Sequence, residues 1–94
     1  GERGAPIGWL AIAAARSRDA RLTEAVAVAS ARWRLSARQQ QVLAAVVRGD
    51  PTTTIAANLG VSERAIELHI TALFDRAGVA SRAALVSLVL GGRG

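Results

Sequence analysis

Apolar residues recur three and four positions apart along most of the chain. The polar positions between them carry the marks of helix starts and stops. Leu22, Val26, Ala29 and Trp33 form one stripe at helical spacing, with Arg21, Arg32 and Arg34 largely off it. A helix is predicted over about 19–33. Upstream, "IGWLAIAAA" is alanine-rich and apolar without a decisive period. Pro6 suits the first turn of a helix, but a strand fits the same run. Residues 1–5 read as a flexible start.

From Ser36 onward the punctuation is denser. Ser36 followed by Gln39 is a capping-box pattern, and Val42, Leu43, Val46 and Val47 follow as one helical face. "RGDP" at 48–51 ends that helix and begins another. Gly49 suits the left-handed position after a helix, Asp50 a cap and Pro51 a first helical residue. The second helix is predicted over about 51–58, burying Ile55 and Ala56, with Leu59 just beyond its end. Gly60 permits a tight turn. Ser62 caps a third helix, with Val61 and Ile66 placed as a hydrophobic staple. Ile66, Ile70, Leu73, Phe74 and Ala77 are its core positions, and Gly78 ends it. Ser81 caps a fourth helix of about ten residues that runs to Gly91-Gly92.

Composition agrees with helices packed on helices. Apolar residues make up 51% of the 94 and aromatics only 3%, with alanine, leucine and valine dominant. Such a length makes one small domain, or part of one. There is no cysteine, which excludes disulfides and thiolate metal sites. With one histidine, a zinc site has no ligand set, and no cofactor is expected. The apolar stretch from Trp9 to Ala15 is too short to span a bilayer. It lacks the pattern of a signal peptide, so no membrane partner is expected and the location is taken as cytoplasmic. No methionine occurs, even at position 1, and the chain is expected to be a fragment or processed product of a longer protein.

Every basic residue is arginine, and the net charge is +5. That balance suits nucleic acid. The charge is uneven, at +3 over residues 1–34 and only +1 over 35–90.

Two short helices joined through "NLGV", the second longer and capped by serine, follow helix-turn-helix grammar. The segment Leu35 to Leu90 resembles the LuxR-type, or GerE-like, helix-turn-helix domain. That family's pattern opens Leu-Thr-x-Arg-Glu-x-Glu-Val-Leu. Leu35, Arg38, Val42 and Leu43 match outright, Ser36 replaces the threonine, and Gln39 and Gln41 replace the glutamates. Further matches in register include Gly49, Ile55, Ala56, Leu59, Val61, Ser62, Ile66, His69, Leu73, Gly78, Ser81 and Arg82. The resemblance implies an all-α, four-helix DNA-binding domain over 35–91, here preceded by an N-terminal helical extension, 1–34. It implies the C-terminal output domain of a bacterial transcription regulator, with an upstream sensor or receiver domain. The third helix would enter the major groove, and the fourth would lie at a dimer interface. His69 is then a structural flank residue.

The third helix is nonetheless acidic. Glu63, Glu67 and Asp75 stand against Arg64 and Arg76, a formal charge of −1. Departures from the family pattern cluster at its DNA-contacting positions. Thr52-Thr53-Thr54 replaces the common Asn-Lys-Glu, Ala65 replaces a threonine, and Glu67 replaces a lysine. At about 100° per residue, Ile66, Ile70, Leu73 and Ala77 face inward. Arg64, Leu68, Thr71, Ala72 and Asp75 face outward. Glu63 suits the positive helix N-terminus. Glu67 can accept a hydrogen bond from cytosine N4, and Leu68 can meet a thymine methyl. Arg38, Arg48, Arg64, Arg76 and Arg82 are the sources of positive charge. The hydroxyls of Thr52, Thr53, Thr54 and Ser62, with helix N-terminal amides, can meet phosphate.

The reading is a non-enzymatic binder of double-stranded DNA. A homodimer is expected through the fourth helix (Ala84, Ser87, Leu88) or the N-terminal helix. Two alternatives are a protein-interaction module with weak or no DNA binding, and a domain like the fourth region of a sigma factor.

Overall fold

The computed structural model describes residues 4–91, with side chains from Ser17 onward. Five helices make up the described chain: α1 (Gly4–Trp33), α2 (Ala37–Arg48), α3 (Thr52–Leu59), α4 (Glu63–Ala77) and α5 (Arg82–Gly91). Helices α2 to α5 are the four expected of the domain. No strand occurs among the described residues.

The extension is more regular than expected. One continuous helix of 30 residues, about 45 Å long at helical rise, replaces the undecided segment and the shorter helix. Gly4 and Ala5, expected to be flexible, are helical; Pro6 in the first turn removes no hydrogen bond the helix needs. Residues 1–3 and Gly92 to Gly94 lie outside the described residues. The C-terminal part of α1 joins the core, where Val26 and Ala29 are buried and Leu22 and Trp33 pack at its edge. Arg21, Arg32 and Arg34 are exposed as their positions off the stripe require.

The domain closes around Val42, Leu43, Val46, Ile55, Ile66, Leu73 and Leu85, all essentially inaccessible. One or more come from each of α2 to α5, so every helix turns one stripe inward. The local punctuation is realised. Ser36 Oγ accepts from Gln39 N at 3.1 Å, and Gln39 Oε1 accepts from Ser36 N at 3.0 Å, a complete capping box. Ser62 and Ser81 cap α4 and α5 by accepting from Ala65 N and Ala84 N, each at 3.1 Å. Gly49 (φ 91°) and Gly60 (φ 69°) adopt the left-handed geometry that ends α2 and α3.

Both ends of α3 differ by one residue. Pro51 occupies the cap of α3, not its first helical position, and makes no side-chain cap. Asp50 does not cap either. Its carboxylate pairs with Arg48 at 3.2 Å, and its carbonyl is held from α5. Leu59, expected beyond α3, is its last residue and half-buried.

Ser30 is the unexplained polar residue of this interior. It lies on α1 at 7% exposure, and its hydroxyl has no hydrogen-bond partner. A buried unpaired hydroxyl costs stability. Ser30→Ala is therefore expected to stabilise the chain by about 1 kcal/mol, since alanine is also the better helix former. A thermal melt below that of the parent chain would refute this.

Candidate nucleic-acid interface

Helix α4 is fixed at both ends and along one side. Gly60 turns the chain, and Val61 N donates to Ala56 O at 3.0 Å behind the turn. Ser62 starts the helix, and Ile66, Ile70 and Leu73 anchor it in the core. Gly78 closes it, with its N–H donating to Phe74 O at 2.8 Å. Its opposite side therefore stands out from a rigid base. Arg64, Glu67, Leu68, Thr71 and Asp75 are all exposed, and Leu68 keeps 59% of its surface. Ala72, expected outward, is half-buried. Thr71 Oγ1 donates to Glu67 O at 3.0 Å, so its hydrogen is used and its oxygen remains able to accept. His69 is half-buried on the flank.

Helix α3 packs against α4 and has an open N-terminus. Thr53 and Thr54 are exposed, and no side chain caps the first-turn amides. Orphan amides and the helix dipole together favour an anion there. Ser62 Oγ accepts from its own helix and keeps its hydrogen for an outside acceptor.

The arginines expected to meet phosphate divide sharply. Arg82, on α5, is half-buried and donates to Asp50 O at 3.0 Å and Thr52 Oγ1 at 2.9 Å. It clamps the turn between α2 and α3 from behind. Arg76 donates to the Trp33 carbonyl and so ties the end of α4 to the end of α1. Arg38 reaches Leu59 O at 3.4 Å, and Arg48 pairs with Asp50. Arg64 makes no hydrogen bond or ion pair among the described residues, and it is the exposed cation on the outward side of α4. The structural use of Trp33 and Asp50 was missed at the level of sequence. Those partners lie 43 and 32 residues from their arginines, beyond any local signal.

On α5, Leu85 and Val89 face the core. Ala84 and Leu88 are half-buried and Ser87 exposed; with Val79 and Gly91 they line a shallow groove. Among the described residues, no group of three or more potential metal ligands occurs. No described helix is long and apolar enough to cross a membrane.

The sequence pattern of the bacterial regulatory proteins of the luxR family matches residues 34–89, more than half of the chain. The chain belongs to this family. The matched segment begins just after α1 and takes in α2 to α4 and most of α5. A stretch of 54 residues is 39% identical to the "Probable transcriptional regulatory protein SgaR" of Hyphomicrobium methylovorum, and covers 57% of this chain. The alignment spans only 26% of that relative's length. No solved structure matches the chain at a significant level.

Proposed function

We propose that this luxR-family chain binds double-stranded DNA sequence-specifically, as the output domain of a bacterial transcription regulator. The observation that carries this is the outward ridge of α4, raised on a buried base, with an uncapped α3 packed against the same helix. In this reading α4 enters the major groove and Glu67, Leu68 and Thr71 meet base edges. Arg64 and the hydroxyls of Thr52, Thr53, Thr54 and Ser62 meet the backbone. Arg76 and Arg82 support those elements from behind. The role is binding, not catalysis. The upstream partner would be a sensor or receiver domain, and the setting the cytoplasm.

Few free cations face the DNA in this reading, so a monomer binds weakly and with a shallow salt dependence. A two-fold dimer would place two α4 helices on half-sites about one turn apart.

The test is retention of randomised duplexes by the folded chain at low and physiological salt, followed by sequencing. An enriched symmetric motif is expected, with its preference lost in Glu67→Ala. No retention at low salt by a folded chain would overturn the proposal.

The exposure of Leu68 beside so few free arginines favours a second reading, a module that docks a protein partner. Glu67→Lys separates the two. It shifts or broadens base preference in a DNA reader, and creates DNA binding in a chain that had none.

A further inference from the structure

The largest exposed apolar side chains outside α4 lie together. Val28 of α1 keeps 57% of its surface and Leu90 of α5 keeps 48%. Both line a groove between the two helices, floored by Ala25, Trp33 and Val89 and rimmed by Arg21, Glu24 and Arg32. Nothing in DNA recognition by α4 uses this face. Scattered exposed apolar residues need no explanation, but two that share one groove with charges at its rim are a surface built to be covered.

The charges say by what. Glu24 and Arg32 stand four residues before and four after Val28. On one helix they are about 12 Å apart, too far to pair with each other. Two copies of α1 laid antiparallel and crossing at Val28 bring each Glu24 opposite the partner's Arg32, twice over. Laid parallel, the same helices oppose glutamate to glutamate and arginine to arginine. The pattern therefore complements itself in the antiparallel orientation only, the one generated by a two-fold axis perpendicular to the helix. In that orientation Arg21, seven residues before Val28, reaches the C-terminal end of the partner's α1, where a cation is favoured.

We propose that the groove between α1 and α5 is the self-association face of this chain, formed by antiparallel α1 helices crossing at Val28. Val28 and Leu90 of each copy fill the other's groove, and two Glu24–Arg32 pairs set the direction. The alternative face on α5, around Ser87, offers no comparably exposed large apolar side chain. This assembly does not depend on DNA recognition.

The absence of cysteine makes the test direct. A disulfide needs its two Cα atoms within about 7 Å, which across a two-fold axis only a residue near that axis satisfies. Val28→Cys is expected to form a covalent dimer under mild oxidation, and Ser87→Cys to remain monomeric. In sedimentation equilibrium, Val28→Glu should weaken the dimer at least about tenfold. Circular dichroism should be unchanged, because the site is exposed. Glu24→Arg and Arg32→Glu should each weaken it about threefold, and the double substitution should restore it. Three results would each overturn the proposal. One is a parent chain that is monomeric at every concentration. Another is cross-linking at Ser87→Cys and not at Val28→Cys. The third is a double charge exchange that fails to restore what the single changes lose.

Discussion

Replacing Leu73 with alanine is expected to lower folding stability by about 3 kcal/mol. Leu73 sits on the inward side of α4, is fully buried, and belongs to the core shared by α1 to α5. The removed atoms leave a cavity that five packed helices cannot fill without moving one of them. A domain of this size has roughly 5–10 kcal/mol in total, so the loss is a large fraction of what holds α4 in place. The melting temperature should fall by about 15 °C. Leu68→Ala, five residues earlier on the same helix, provides the contrast. Its side chain is 59% exposed, and its truncation should change stability by no more than about 0.5 kcal/mol. Thermal melts followed by circular dichroism decide the matter. Equal melts for the two variants would mean that α4 does not rest on the face assigned to it. DNA retention should show the opposite order. Leu68→Ala, fully folded, should lose base preference, and Leu73→Ala should keep it well below its melting temperature.

The inward face of α4 is legible in the sequence because it depends on neighbours three and four residues apart. The same holds for the Ser36–Gln39 box, the Ser62 and Ser81 caps, and the left-handed turns at Gly49 and Gly60. Each is a contact between residues close in sequence, and the residue types needed there are few. The continuity of α1 was not legible. An alanine-rich apolar run has no polar side to mark a period, so helix and strand fit it alike. At Asp50 the local rule pointed the wrong way. Its capping propensity is real, but Arg48 takes its carboxylate and Arg82 its carbonyl. A second local contact, two residues back along the chain, took the carboxylate that a cap would have used.

The candidate site divides along the same line. Exposure of Arg64, Leu68, Thr71 and Asp75 followed from helical geometry alone, while Ala72, placed with them, is half-buried. The fate of the arginines did not, because a guanidinium at the surface and one folded back on a carbonyl look identical in sequence. Arg76 and Arg82 have partners 43 and 30 to 32 residues away. Those contacts give both arginines partners within the chain, at the end of α1 and at the start of α3. Arg64 is left as the exposed cation on the outward side of α4.

Arg82 tests that conversion most sharply. Arg82→Ala removes two charge-assisted hydrogen bonds, to Asp50 O and Thr52 Oγ1, in a half-buried setting. A loss of about 2 kcal/mol is expected. The N-terminus of α3 then loses its tie to α5, and DNA affinity should fall by about tenfold as its amides and hydroxyls drift from register. The salt dependence identifies the cause. A residue that neutralises a phosphate releases a counterion, so its loss flattens the slope of log affinity against log salt by about 0.9. A residue that only positions others leaves the slope alone. Arg82→Lys sharpens the distinction. Lysine keeps the charge but cannot span two acceptors with one planar group. It should rescue a phosphate contact and fail to rescue the clamp. The geometry of Arg82 predicts an unchanged slope and no rescue by lysine. A flattened slope with lysine rescue would return Arg82 to the DNA backbone, and would mean that the guanidinium leaves Asp50 and Thr52 when DNA arrives.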